Sequence, residues 1–458
     1  MIFFSEIREA SLAAECQILV MGSTQPVAGI YYDSRECIPS SLFIALQGEK
    51  KNGTDFLDDA YSRGARHFLC SYGDASAAKK KLSGKDFTLL ASDNPVKSYG
   101  ALAKFYLGTL PGKKIAVTGS CGKTTVKDLA AWFLSLKYRV KKNKKNLNNH
   151  LGVPYTVFSF TEPADYYIFE MGMNHSGEID YLASIINPDL SLITNIQPVH
   201  IEFFRDQDAI AMAKAEVFNR QKAGSPTFLN KNCLYYNYLA GLARQQGLQV
   251  KTFSRESFSF RTAGLPGNLT TEIIFNKKKY QCNLAGNHNA ENIAAAMAIG
   301  ENEGLHPEIM LQSLQDFYAE KRRFEITGRF SNIIDDAYNS NPASLRSSLE
   351  LFFSLPYTGK KILVLGDMLE LGEHSFSFHC QICQFLQENK NKFTSAIFVG
   401  NNMAQALKET GNTGWQYFKT LSEADALLRL IFNPDTFFFF KASHGMNFEE
   451  LINSVKFL

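Results

Sequence analysis

A chain of 458 residues is too long for one hydrophobic core and predicts about three domains. With 45% hydrophobic and 20% charged residues it has the composition of a soluble globular protein, and a formal net charge of +3 gives no reason to expect nucleic-acid or membrane-surface binding. Met1 to Glu9 carries acids where a secretion signal needs an apolar run, and even Phe437 to Phe440 is cut off by Asp435 and Lys441, so no membrane span and a cytoplasmic location are expected.

Residues 1 to about 90 contain Asp33-Ser34-Arg35, a short apolar strand from Ser41 to Leu46, and a helix-like run opening at Asp55-Phe56 and closing at Gly64-Ala65. The Asp-Ser-Arg turn reads either as polar punctuation or as a ligand loop. Near Leu89 to Asn94 the pattern changes. Pro95 opens a helical run to Leu107, and Pro111-Gly112 leads into a new strand, which places a first boundary here.

That strand, Ile115-Ala116-Val117, ends in Thr118-Gly119-Ser120-Cys121-Gly122-Lys123-Thr124-Thr125, and Val126 to Leu136 follow with apolar positions spaced for one helical face. The stretch predicts a phosphate-binding loop. Gly119 and Gly122 let backbone N–H groups converge on an anion, the helix N-terminus adds partial positive charge, Lys123 adds a full one, and the Thr124 hydroxyl suits magnesium. Val117 stands where the common pattern has its first Gly, so the standard expression is not met. An ordinary strand-to-helix turn explains the glycines but not Lys-Thr at the helix start.

The basic run Arg139 to Lys145 taken alone reads as a solvated face. It flows into Asn146-Leu147-Asn148-Asn149-His150, where clustered amides suit polar substrate groups or simply an Asn-rich turn. Tyr166 to Phe169 predicts a buried strand ending at Glu170, and Leu190 to Ile196 another ending near His200. In an open parallel sheet both ends face the phosphate loop, and a carboxylate there is a natural magnesium ligand. Lys214, on a helical run from Ile210 to Phe218, reads by itself as an exposed lysine. A more irregular stretch precedes Gly286-Asn287-His288-Asn289-Ala290-Glu291-Asn292, which opens an alanine-rich helix. Asn289 and Asn292 share one face, for base recognition or as a helix-start cap.

From about residue 320 a smaller α/β alternation restarts: Ile333 to Asp336, Ile362 to Asp367, Ala396 to Gly400 and Phe437 to Phe440, separated by helical segments, predict a doubly wound parallel sheet. Its polar strand ends, Asp336 to Pro342 and Gly366 to Gly372, mark a crevice edge. The eight cysteines are most simply free thiols. Cys380 and Cys383 have CxxC spacing near His374 and His379, but no second CxxC completes a zinc site, and the pair reads as part of a helix from Phe376 to Leu386.

Taken in order, the Gly119 to Thr125 loop, Asn148-Asn149 to Pro154, Glu170-Met171-Gly172, His200, Lys214 and Gly286 to Asn292 resemble the ATP-dependent muramyl ligases over nearly the whole chain. Asp336-Ala337-Tyr338-Asn339-Ser340-Asn341-Pro342 and Gly366 to Gly372 resemble the branch that adds D-alanyl-D-alanine. Lys51-Asn52-Gly53-Thr54 stands where relatives often have Asp-Gly-His, and Lys441-Ala442-Ser443-His444 resembles a Lys-Gly-Ser-Arg segment with two replacements.

The resemblance implies an α/β fold of three domains. A small N-terminal α/β domain (1–90) would bind the UDP-linked substrate, a central P-loop ATPase-like parallel sheet (91–320) would bind ATP, and a Rossmann-like doubly wound domain (321–458) would close over the nucleotide and bind the incoming dipeptide. It implies ATP and Mg2+, with UDP-N-acetylmuramoyl-tripeptide and D-alanyl-D-alanine as partners, and a monomer. ATP would phosphorylate the terminal carboxylate of the tripeptide, and the dipeptide amine would attack the acyl phosphate. Lys123, His200, Lys214 and Arg323 would be catalytic, Arg323 being preferred over Arg322 and Arg329 as the arginine facing phosphate. Nucleotide contacts would come from Gly119 to Thr125, Asn289, Asn292, Asp336 and Asn339. Metal ligands would be Thr124, Glu170, His200 and a carbamylated Lys214, and substrate contacts Ser34, Arg35, Asn148, Asn149, Tyr338 and Asn341. Two rivals share parts of this reading: folylpolyglutamate synthase, which lacks the first domain, and a nucleotide-hydrolysing switch, against which the missing Asn-Lys-x-Asp guanine signature argues.

Overall fold

The computed structural model describes residues 2–144, 146–199, 201–263, 269–319, 321–411 and 414–458. Four sheets follow one another along these residues. The first is built from β1 (Gln17–Val20), β2 (Gly29–Tyr31), β3 (Ser41–Ile44), β4 (His67–Ser71) and β5 (Thr88–Ser92) in the order β1-β5-β4-β3-β2. β1 is antiparallel to β5, and the other pairs are parallel. After β5 the side chain of Asn94 accepts the Lys97 N–H, and Pro95 occupies the first turn of the Pro95–Thr109 helix, where its missing donor costs nothing. That helix buries Tyr99, Leu102 and Tyr106 in a core shared by the first sheet and the elements that follow.

The second sheet is fully parallel. Its strands are β6 (Lys113–Thr118), β7 (Val140–Lys142), β8 (Tyr166–Glu170), β9 (Leu190–Ile193), β10 (Pro226–Asn230) and β11 (Gln249–Phe253), in the order β11-β10-β9-β6-β8-β7. β6 sits between β8 and β9, so the chain leaves it toward one side and later returns on the other. The carboxyl end of β6 is therefore a topological switch point, where α/β sheets open a crevice. The Lys123–Ser135 helix covers one face and packs against the Asn287–Asn302 helix, burying Val126, Leu129 and Phe133 with Ile293, Ala296 and Met297.

The stretch read from sequence as irregular carries β11 and then an antiparallel meander, β12 (Ser259–Ala263), β13 (Thr270–Phe275) and β14 (Lys278–Cys282). Its hairpin turns at Asn276-Lys277, with φ of +47° and +64° at the two central residues, as a tight two-residue connection requires.

The fourth sheet runs β15-β16-β20-β17-β18-β19, from β15 (Glu325–Thr327), β16 (Ile333–Asp335), β17 (Lys360–Gly366), β18 (Ser395–Val399), β19 (Gln416–Phe418) and β20 (Thr436–Lys441). Only β15 is antiparallel. β20 inserts between β16 and β17, with Phe437 and Phe439 in the core on one face and Phe438 and Phe440 in the core on the other. The expected central parallel sheet and doubly wound C-terminal sheet are both present. No described helix is long and apolar enough to cross a membrane. Cys383 is buried on the Ser375–Glu388 helix, and His379 beside it is used internally, its Nε2 accepting the Met368 N–H.

Candidate functional site

A cavity of about 850 Å³ opens at the carboxyl ends of β6, β8 and β9 and is closed on its far side by residues of the loops and the Pro342–Ser354 helix that adjoin the fourth sheet. Its floor is the loop between β6 and the Lys123–Ser135 helix. Gly119 has φ of +138° and Gly122 of +82°, backbone states that L side chains rarely adopt. A Cβ on Gly119 would lie 2.9 Å from the Thr194 nitrogen, and one on Gly122 would overlap the Asn292 side chain. The Lys123 ammonium curls back to donate to the Gly119 and Ser120 carbonyls at 3.0 and 3.1 Å.

The segment after β9 fixes the loop from behind. Asn195 accepts the Cys121 N–H at 2.9 Å and donates to the Cys121 carbonyl at 3.2 Å, and Thr194 donates to the same carbonyl at 2.6 Å. Ser120 Oγ donates to the Gln197 carbonyl and accepts the Gln197 N–H. Asn289 and Asn292 approach from the Asn287–Asn302 helix, both buried, with Asn292 donating to Asn289 Oδ1 and Asn289 to the Ala285 carbonyl. That helix has no side-chain cap, so the capping alternative for these two residues is set aside.

Glu170, at the end of β8, is buried and held on three sides. Asn143 accepts its N–H at 2.8 Å and donates to its carbonyl at 3.2 Å, and Asn148 donates to Oε1 at 2.8 Å. Oε2 has no hydrogen-bond donor. A buried carboxylate oxygen left without a donor, in a cavity that also contains the Thr124 hydroxyl, is a hard-oxygen pair suited to a divalent cation. Asn148 therefore serves Glu170 directly, whereas the sequence offered it to substrate. Asn149 accepts the Leu151 and Gly152 N–H groups and fastens the start of the next helix, while still lining the cavity.

Lys214 corrects its isolated sequence reading as an exposed lysine: it is 1% exposed. Burial and the nearby Lys123 charge push its amine well below the usual lysine range. His200 lies outside the described residues. Ser34 and Arg35 do not line the cavity: Ser34 is buried in a short turn, and Arg35 pairs with Asp33 at 2.6 Å on the surface. The same turn reaches the Gly152–Phe158 helix through Glu36, which accepts from the Tyr155 hydroxyl at 3.1 Å.

From the bend just before β15, Arg323 donates to Thr124 Oγ1 at 3.0 Å and lies 4.2 Å over the Tyr338 ring. Arg322 is spent elsewhere, paired with Glu449 and Asp335, and the Arg329 guanidinium lies over Phe330, so Arg323 is the member of the trio that faces the loop. Asp336 is tightly committed. It accepts from the Phe324 N–H, from Ser348 at 2.6 Å and from Lys441 at 2.7 Å. Asn339 lines the cavity, and its carbonyl accepts from Lys441. Asn341 caps the Pro342–Ser354 helix in a reciprocal box with Ser344 while its Nδ2 donates to Cys121 Sγ at 3.4 Å. His444 faces the cavity with its ring 5.9 Å from that of Tyr338.

Among the residues of this arrangement not singled out from sequence are Asn143, Thr194, Asn195 and Lys127, the last buried one helical turn beyond Lys123. Only the i, i+4 spacing of the two lysines was a signal, and a surface helix would show it equally.

Comparison with known proteins finds three family models in order along the chain. The Mur ligase family catalytic domain matches residues 26–103, the Mur ligase middle domain 117–300, and the Mur ligase glutamate ligase domain 322–444. A UDP-N-acetylmuramoyl-tripeptide--D-alanyl-D-alanine ligase from Bacillus subtilis is 31% identical, the match covering 94% of this chain and 93% of the relative. A crystal structure of MurF from Acinetobacter baumannii superposes with a TM-score of 0.87 at 24% identity over 99% of both chains. The structure of MurF ligase from Thermotoga maritima in complex with ADP does so with a TM-score of 0.79 at 22% identity, covering 93% of this chain and 97% of that one.

Proposed function

The chain belongs to the Mur ligase family, and from that premise we infer that it joins D-alanyl-D-alanine to UDP-N-acetylmuramoyl-tripeptide at the expense of ATP. The observation that carries the reading is the meeting of three groups in one cavity: the Lys123 loop, the donor-free Glu170 oxygen and an arginine delivered to Thr124 from the bend before β15. A nucleotide switch needs the first two. It gives no reason for a match to a D-alanyl-D-alanine ligase over 94% of the chain. The whole-length match, including residues 26–103, favours this ligase over folylpolyglutamate synthase.

A carboxylate is a poor electrophile, so the reaction proceeds in two displacements. A carboxylate oxygen of the tripeptide attacks the γ-phosphorus and the bond to ADP breaks. The dipeptide amine, having lost a proton, then attacks the acyl carbon, and inorganic phosphate leaves. Lys123 and the loop N–H groups offset charge on the moving phosphoryl group, with the ammonium turning from the Gly119 and Ser120 carbonyls to the phosphates. Arg323 adds a planar cation from the opposite wall. Thr124 and Glu170 would hold a magnesium ion, which supplies positive charge against the β- and γ-phosphates. Lys214, depressed toward its neutral form, is suited to take up carbon dioxide as a carbamate, and with His200 would serve a second ion.

We place the domain boundaries near residues 90 and 320, with the first domain receiving the UDP moiety through the Ser34–Arg35 turn and the third offering Tyr338 and its neighbours to the dipeptide. Water exclusion by closure of the third domain protects the acyl phosphate. The deciding experiment is ATP turnover measured with and without D-alanyl-D-alanine and the UDP-linked tripeptide. Turnover that requires both, with stoichiometric amide product, is expected; turnover indifferent to both refutes the reading.

A further inference from the structure

Lys127 is a buried cation that the mechanism does not use. Lys127 follows Lys123 by one helical turn, its side chain 1% exposed, and its ammonium lies 3.4 Å from Asp128 and 3.8 Å from Glu170 Oε2. The second separation is an ion pair but too long for a hydrogen bond, which is why Oε2 keeps its lone pairs free. Asp128 is in turn bound by Lys142 at 2.6 Å. Glu170, Lys127, Asp128 and Lys142 thus form a chain of two anions and two cations with a formal charge of zero. A lysine of this kind is costly to bury unless its charge is matched, and this one is matched by the carboxylate a metal would use.

We propose that Lys127 is a positioning residue that keeps Glu170 charge-balanced in the empty enzyme, so that the divalent cation enters with the triphosphate and not before it. The proposal rests on Glu170 being the metal carboxylate. A cation at Oε2 comes within reach of the Lys127 ammonium and is repelled, because at such separations Coulomb terms exceed thermal energy even at an effective dielectric constant of about 20. The β- and γ-phosphates reverse the local sign and admit the ion. Asn148 fixes the direction of the carboxylate, and Lys127 sets its charge balance.

The test is Mn2+ binding by electron paramagnetic resonance, with and without a non-hydrolysable ATP analogue, in wild type, K127M, K127Q, K127R, D128N and E170Q. Without nucleotide, K127M and K127Q are expected to bind Mn2+ at least about tenfold more tightly than wild type, and the gain on adding the analogue shrinks by the same factor. K127R retains wild-type coupling. D128N, which leaves both lysines and removes one anion, shifts nucleotide-free affinity in the opposite direction. Unchanged or weaker Mn2+ binding in a neutral Lys127 variant that keeps the wild-type circular dichroism spectrum overturns the proposal. So does a D128N shift toward tighter binding, and that variant also decides the matter if neither neutral variant folds. E170Q separates the two levels. If it fails to weaken Mn2+ binding in the presence of the analogue, the Glu170 reading itself falls; if it weakens binding while the Lys127 variants do not move, only the role of Lys127 falls.

Discussion

Adding one methyl group at Gly122 tests whether the phosphate loop is held by packing as well as by sequence. In Gly122→Ala the backbone must either keep φ of +82° with a Cβ, which costs about 1–2 kcal/mol, or relax. The new Cβ also lies 3.2 Å from Asn292 Cγ and overlaps its Oδ1, so Asn292 must swing away from Asn289, forfeiting a hydrogen bond worth about 1 kcal/mol. Relaxation of the free loop therefore has to be reversed on nucleotide binding at a cost of about 2–3 kcal/mol, which is roughly a 30- to 150-fold loss in ATP affinity. Gly224→Ala is the control. It has φ of +84°, and nothing within 4 Å of the added carbon, so it carries strain alone and sits away from the cavity. The assay is calorimetric titration of each variant with ATP and magnesium, with affinity for the UDP-linked tripeptide as a check on the fold. Wild-type ATP affinity in Gly122→Ala, or an equal loss in Gly224→Ala, refutes the reasoning.

Lys123→Ala is expected to abolish amide formation while leaving the circular dichroism spectrum unchanged, because its ammonium is bound only to loop carbonyls and no core is disturbed; ligation retained by the purified variant counts against the loop assignment. Asn148→Ala leaves Glu170 Oε1 without its donor and is expected to weaken Mn2+ binding with nucleotide about 10- to 100-fold, read by titration. Lys214→Ala should lose most activity and regain part of it with added short carboxylates, which occupy the place of the carbamate; absence of rescue by formate, the smallest of them, removes support for that role. In small-angle scattering, a non-hydrolysable ATP analogue together with the UDP-linked tripeptide should give a smaller radius of gyration than the free protein, and an unchanged value with both ligands shown to be bound counts against closure.

The phosphate loop was legible because its chemistry is written in consecutive residues: Gly119, Gly122, Lys123 and Thr124 have no other common use in that order. Glu170 was legible because a buried strand ended on it. The purpose of Asn148 was not, since its partner lies 22 positions away and only the fold brings the amide to Oε1. Asn341 was read as a substrate residue although Asn-Pro followed by Ser344 is also a helix-start signature, and the structure uses it as one. The meander of β12 to β14 escaped notice because its turn is Asn-Lys where Asn-Gly would have announced a hairpin, and its strands carry lysine and threonine on an exposed face. β15 and β19, of three residues each, are too short for any periodicity to appear. The segment from Glu320 to Gly328, charged and bounded by glycine, reads from sequence as a hinge, yet β15 lies within it. Glu325 to Thr327 are bound there to Ile333 to Asp335, so these three residues belong to the sheet.

The position of β20 between β16 and β17 bears on the order of assembly. A strand added at the rim of a sheet extends something already formed, whereas this one bridges two pieces that share no direct ladder with each other. Residues 325–335 and 360–418 must therefore wait, edges unpaired, for a partner that arrives some hundred positions after β16, a distant pairing of the kind that slows folding. While they wait, four successive phenylalanines destined for two different cores remain exposed, and such a segment invites association between chains. The same insertion carries Lys441 to Asp336, so this corner of the cavity comes into being at the step that closes the sheet.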